Sequence, residues 1–252
     1  MGAMQRDHRT ILGIRFFLGT ASQAVDRMEH GGLLVVPAAP ALKDLAANAS
    51  YREALLNADL TITDSAFMVL VWNRLQGDSI PRLSGLEYLR ELLKRNTVRE
   101  PGQCLWVMAA PASAARNLAW LAKHGINVPE SCVYMAPMYG AEEIVDHALL
   151  DKIESIRPKH VIVTIGGGTQ ERLGLYLKRN LSYLPAIHCI GAAIAFLSGD
   201  QVRIPVWVDR SYMGWLYRSL SQPTRYVPRY WNARKLLYLM LRYRDRLPVP
   251  PV

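Results

Sequence analysis

Cysteine is scarce: the 252 residues hold three, Cys104, Cys132 and Cys189, far apart and without a CxxC pair. An odd, scattered set excludes a disulfide framework and reads as buried thiols in a reducing compartment. Long apolar runs are missing too, since nothing approaches the ~20 residues a bilayer-spanning helix needs. The longest candidate, IGAAIAFL (190–197), fits a buried strand and its following turn. The amino-terminal apolar stretch is broken by Arg15 and lacks a small-residue cleavage site, so it does not read as a signal peptide. The expectation is a soluble or peripheral, cytoplasmic protein. The six histidines, His8, His30, His124, His147, His160 and His188, make no HxxxH or Cys/His cluster, and there is no D-x-D pair. Neither a metal site nor a cofactor is therefore expected. A G-x-S-x-G nucleophile elbow is also absent.

Acids are scarce at one end. Residues 203–252 carry ten Lys/Arg against Asp209 and Asp245, a surplus of eight in a chain whose net charge is +9. Residues 1–202 are thus almost neutral, and the basicity is local. The same fifty residues hold half of the six Trp and half of the twelve Tyr, interleaved with arginines in short helical blocks broken by Pro223 and Pro228. This composition predicts two units: a body over 1–202 and a basic aromatic appendage over 203–252. Such a tail suits an anionic partner. Its apolar residues, Trp215, Leu216, Leu220, Leu236 and Leu237, can equally pack as core or as an oligomer interface.

The body alternates apolar β-rich runs with helical patterns. Strands are predicted at 33–36, 60–63, 105–108, 132–135, 160–165 and 187–191. Helices are predicted at 41–57, 65–76, 84–95, 111–124, 141–156 and 169–180. Continuous apolar strands separated by helices predict an α/β fold with a mostly parallel, Rossmann-like sheet covered on both faces. In such sheets ligands bind beyond the carboxyl ends of the strands.

Three segments place reactive groups at such ends. Asp64, between a strand and a helix, can act as a general base in a partly shielded pocket. Equally, Asp64 or Ser65 can simply cap the next helix. Gly166, Gly167 and Gly168 lie between a strand and a helix, where bare N–H groups can approach a phosphate. A tight turn needing positive φ accounts for them as well, and the run matches neither GxGxxG nor GxxxxGK[ST]. Gln170 can reach a ligand from the first helical turn, whereas Glu171 fits as a partner of the helix dipole. Ser84 and Glu87 form an S-x-x-E capping box. Arg82, just before it, is an exposed cation whose default role is surface.

These pieces occur in order in one family. The chain resembles the WecG/TagA/CpsF glycosyltransferases over nearly its whole length: ILGIRF, then Ala58, Asp59 and Asp64 of AD-x-x-x-x-D, then RLSGLE (82–87). GGGTQE (166–171), RIP (203–205) and WLYRSLSQPTRYVPRY (215–230) follow. The resemblance implies an inverting, metal-independent transfer of a sugar from a UDP-sugar to a polyprenyl-diphosphate-linked saccharide. It makes Asp64 the base and Gln170 an active-site residue. Arg82 and the glycine run, with Arg218, Arg225 and Arg229 of the appendage, would meet the donor diphosphate. The appendage would also meet an anionic membrane surface on the inner face, here through Tyr230, Trp231, Arg234, Lys235, Tyr238 and Arg242.

Departures from the family pattern are specific. Val36 and Ala38 stand where the family has Thr and Asn, and Thr63-Asp64-Ser65 replaces P-D-G. Ala195 and Gly214 stand in place of acidic residues, and Met108-Ala109 replaces Gly-Gly. The expectation is a different sugar or acceptor, a neutral hexose such as glucose rather than an N-acetylhexosamine, in bacterial surface or exopolysaccharide synthesis. A catalytically weak scaffold of the same fold and a nucleic-acid binder are the alternatives, though no RRM, KH or helix-turn-helix pattern supports the latter. The expected partners are the UDP-sugar, the lipid-linked acceptor and the membrane, with no nucleic acid; a homo-oligomer stays open.

Overall fold

A computed structural model describes residues 7–200, Trp231 and 234–250. Eight strands form one sheet: β1 (His8–Ile11), β2 (Ile14–Phe17), β3 (Gly32–Val35), β4 (Leu60–Ile62), β5 (Cys104–Met108), β6 (Val133–Met135), β7 (His160–Val163) and β8 (Ala186–Cys189). Their order is β1-β2-β4-β3-β8-β7-β5-β6. Only β1 and β2 pair antiparallel; every other neighbouring pair is parallel. The first four strands make one half and the last four the other, meeting where β3 lies against β8.

The described helices are α1 (Ala21–Met28), α2 (Ala39–Leu42), α3 (Ala49–Leu56), α4 (Ala66–Gln76), α5 (Gly85–Leu92) and α6 (Asn96–Arg99). After these come α7 (Pro111–Lys123), α8 (His147–Ile156), α9 (Thr169–Asn180), α10 (Ala193–Ser198) and α11 (Arg234–Tyr243). Alternation along the strands divides them between two cores. Leu33, Val35, Leu105, Val107, Val161, Val163 and Ile187 point to a layer containing α3, α4, α8, α9 and α11. Leu34, Val36, Trp106, Met108 and Ile162 point to the opposite layer, with α1, α5, α7 and α10. Both faces of the sheet are buried, so its strands read as unbroken apolar runs.

Several expectations are corrected here. The helix predicted over 41–57 is two, because Asn48 accepts the Tyr51 N–H and starts α3 afresh. The one predicted from 141 begins at His147, where the buried Asp146 takes the Leu149 N–H and the Tyr134 and Tyr139 hydroxyls. Within 190–197, the run read as a strand and turn is largely the helix α10. Its apolar length alone did not distinguish the two. The β1–β2 hairpin was not anticipated. Leu12 (φ 52) and Gly13 (φ 76) form its two-residue turn, the left-handed pair that suits strand twist. Their N–H groups donate to the carbonyls of Arg244 and Asp245, 2.7 and 2.9 Å away, tying the turn to the end of the described chain.

The cysteines are all buried and free. Two histidines are spent in the core as well. Tyr88 Oη lies 2.8 Å from His188 Nδ1, His188 Nε2 lies 3.1 Å from His160 Nδ1, and His160 Nε2 lies 3.0 Å from Thr97 Oγ1. This polar chain crosses the sheet inside the α5 layer and satisfies each ring.

Candidate active site

Parallel pairing delivers the carboxyl ends of β4, β3, β8, β7 and β5 to one edge, and four of the predicted groups stand there. Asp64 follows β4. Thr63, fully buried, fixes its surroundings: its hydroxyl donates to the Pro81 carbonyl (2.9 Å) and accepts from the Leu83 N–H (2.9 Å). The 81–85 segment is thereby stitched to the strand end. Ser65, not Asp64, caps α4, accepting the Met68 N–H at 3.2 Å. Asp64 instead reaches a different helix: its Oδ1 accepts the N–H of Gly85, the first residue of α5, at 2.9 Å. A carboxylate is favoured at that helix start by the dipole and the orphan donors. Among the described residues nothing bonds the other oxygen, Oδ2.

Arg82 is not a surface cation. Its Nε donates to the Asp64 carbonyl oxygen at 2.7 Å, and its Nη2 stands 3.9 Å from Asp64 Oδ1. Acid and guanidinium thus form one unit, both largely shielded. Ser84 caps α5 through the Glu87 N–H, as the capping-box spacing suggested.

The next link is a close approach. A Cβ built on Gly85 would stand 3.0 Å from Val36 Cγ1 and 3.6 Å from the Ile190 carbonyl oxygen. Only glycine lets α5 begin this near the ends of β3 and β8. Gly191 continues the path, since a Cβ there would lie 3.5 Å from both amide atoms of Gln170. Asp64 and Gln170 are therefore joined around the β3–β8 junction by packed backbone. α9 reaches that point because Gly174 lets it lie directly on the sheet; a Cβ at 174 would meet Cys189 Sγ at 2.5 Å.

Gln170 is buried, with Nε2 donating to Glu171 Oε1 at 3.1 Å and Oε1 left without a partner among the described residues. Such an orphaned acceptor costs free energy unless something binds it. Glu171 does partner the start of α9, but from a fully buried position: its Oε2 accepts the Gly168 N–H at 2.6 Å. Burial pushes its carboxyl up to about 7, against the opposing pull of the hydrogen bonds from Gln170 and the backbone.

The three glycines differ. Gly168 has φ 91 and needs to be glycine. Gly166 and Gly167 have no positive φ; among the described residues a Cβ at 166 would meet nothing within 4 Å, and one at 167 only Ala41 Cβ at 4.0 Å. Neither backbone strain nor packing explains glycine at these two positions. The Gly168 N–H is engaged by Glu171, so a phosphate cradle would draw on neighbouring N–H groups. Val36, Met108 and Ala195, which replace polar or glycine positions of the family pattern, are buried in the α5–α10 layer.

Of the remaining predicted residues, Arg218, Arg225, Arg229 and Tyr230 lie outside the described residues. Trp231, Arg234, Lys235, Tyr238 and Arg242 are exposed, on or beside α11, away from its buried face of Leu236, Leu239 and Met240. Arg234 stacks over the Trp231 ring, 4.7 Å from its centroid. Among the described residues no three His, Cys, Asp or Glu side chains converge to hold a metal ion, and no helix is long and apolar enough to cross a membrane.

An α/β protein that gathers an acid, a cation and open glycine backbone on the carboxyl edge of its sheet is of the class that takes its ligand there. The comparison with known families is more specific. The model of the Glycosyl transferase WecG/TagA/CpsF family matches residues 9–248, and the chain belongs to that family. Membership implies a sugar transfer in cell-surface polysaccharide synthesis, with a sugar donor and a lipid-linked acceptor. No curated protein matches the chain.

Proposed function

We propose that the chain is an inverting, metal-independent hexosyltransferase that moves a sugar from a UDP-sugar to a polyprenyl-diphosphate-linked saccharide. The observation that carries this reading is Asp64. One oxygen is tethered to the start of α5, and the other has no described partner. In the reaction Asp64 Oδ2 takes the proton of the acceptor hydroxyl while that oxygen attacks the anomeric carbon. The bond from this carbon to the UDP oxygen breaks, and its electron pair leaves on the diphosphate opposite the attacking face. Growing negative charge is met by Arg82 and backbone N–H groups around Gly166 and Gly167. Arg218, Arg225 and Arg229 supply further guanidinium groups in place of a metal. Gln170 holds the sugar through its Oε1, which has no partner among the described residues and accepts a sugar hydroxyl.

The membrane part of the reading rests on α11. Its exposed Tyr238, Arg234, Lys235 and Arg242 suit an anionic lipid surface. On this reading the protein sits peripherally on the inner face of the bacterial membrane, and the 203–252 segment acts as lid and foot. The departures from the family pattern at Val36, Met108 and Ala195 are the ground for proposing a neutral hexose such as glucose over an N-acetylhexosamine. They also favour a second reading, a scaffold that binds donor without transfer. A thermal-shift screen separates donor classes: UDP-glucose is expected to raise Tm by several degrees, and UDP-N-acetylglucosamine to raise it less. Equal or reversed shifts would refute the hexose assignment.

A further inference from the structure

The helix that leaves the candidate base carries an apolar outer face. α4 starts one residue after Ser65, and its inner residues Met68, Val69 and Trp72 pack into the core. On its other side Leu70 is 48% and Leu75 38% exposed, with Phe67 and Val71 only partly covered. α11 packs beside α4 and exposes Tyr238 (65%) and Leu241 (51%). Two adjoining helices thus present large apolar side chains that the described fold leaves uncovered.

The charges around them are mainly cationic. Arg74 is exposed on α4, and Arg234, Lys235 and Arg242 on α11, with Arg244 and Arg246 following. Asp245 is the one acid between 234 and 250. A second copy of the chain is a poor occupant, because an isologous contact would set this cationic rim against itself. An anionic bilayer surface accepts both features, apolar side chains below the headgroups and cations among them. Helices of eleven and ten residues are too short to span and suit lying in the interface plane.

We propose that α4 and α11 form one membrane-contact face, with Leu70 and Leu75 entering the headgroup layer beside Tyr238 and Leu241. This rests on the membrane reading of α11 and adds a second element to it. Because α4 continues directly from Asp64 and Ser65, seating it on the bilayer fixes the height of the base above the lipid that carries the acceptor. The membrane becomes part of the positioning machinery.

The native thiols are all buried, so single introduced cysteines can be labelled selectively with an environment-sensitive fluorophore. Leu70→Cys, Leu241→Cys and Leu184→Cys are compared in the full chain. Leu184 is 47% exposed but precedes β8, at the amino end of the sheet. With phosphatidylcholine vesicles containing phosphatidylglycerol, the probes at 70 and 241 are expected to blue-shift and the probe at 184 to stay unchanged. A shift at 241 without one at 70 overturns the role of α4 while leaving α11 on the membrane. No shift at either overturns both. Replacing Leu70 and Leu75 together by Ser is expected to weaken vesicle binding by about tenfold, with Tm unchanged. If that variant floats like wild type but changes from dimer to monomer in gel filtration, the face belongs to a second copy and the proposal is wrong.

Discussion

Asp64 and Glu171 are both acids that accept an N–H at a helix start, and the fold buries only the second completely. The place of Asp64 was legible, since an acid after an apolar strand stands at the carboxyl edge of any parallel sheet. Its attachment to α5 was not, because Gly85 is distant in sequence. Arg82 was misread for the same reason: its partner is the Asp64 carbonyl oxygen. Glu171 is the helix-start partner its position suggested, and the close seat of α9 on the sheet at Gly174 buries it as well. Its carboxyl is raised from 4.5 to about 7 by burial, so the folded state holds this proton more tightly than the unfolded one. The cost to stability therefore grows as pH rises through this range and is complete above about 7. Glu171→Gln removes that dependence. Urea denaturation should show the variant gaining on wild type by roughly 2–4 kcal/mol between pH 4.5 and 7.5. A constant difference would mean the carboxyl does not titrate there.

At the scale of elements, the six parallel strands β3–β8 and most helices were legible because apolar runs, buried on both faces in all but the edge strand β6, alternate with helical periods. The β1–β2 hairpin escaped notice because its turn is Leu12-Gly13, with a non-glycine residue at positive φ held by contacts to residues 244 and 245. The glycine turn before α9 is where the element meets function. Gly167→Ala is expected to leave folding intact, or to stabilise by about 0.4–1 kcal/mol through the unfolded chain. Donor binding should weaken at least about tenfold, as a methyl group enters the path of the phosphate. Gly168→Ala should instead cost about 1 kcal/mol in stability, since φ is 91 there. Calorimetric titration of each variant with the UDP-sugar, beside its Tm, checks the contrast. If Gly167→Ala bound donor like wild type, the cradle would lie elsewhere.

The whole molecule joins two half-sheets at β3 and β8, and a buried polar chain, Tyr88–His188–His160–Thr97, spans the second half. Burial lowers His160 from 6.5 to about 4 and holds His188 well below its ordinary value. The unfolded chain thus binds protons that the folded one refuses, and stability falls as pH drops from 6.5 toward 4. Glu171 acts in the opposite direction over part of that range, so the comparison is best made with a variant. His160→Gln is expected to be less stable than wild type at neutral pH, and the gap should narrow as pH approaches 4. A gap independent of pH would contradict the assignment of a neutral imidazole. Molecular charge has a similar logic, an almost neutral body and a basic end, which composition alone revealed. What composition could not reveal is that the end returns to the core, with Leu236, Leu239 and Met240 buried against α4.

The central claim is that Asp64 removes the acceptor proton in a sugar transfer at this edge. It is tested most directly by incubating wild type and Asp64→Asn with radiolabelled UDP-sugar and a polyprenyl-diphosphate-linked acceptor. The Asn amide oxygen can still accept the Gly85 N–H, so the variant should fold and bind UDP nearly as wild type does, while transfer falls by at least about a hundredfold. Full transfer by Asp64→Asn, with the label reaching lipid at the wild-type rate, would contradict the account.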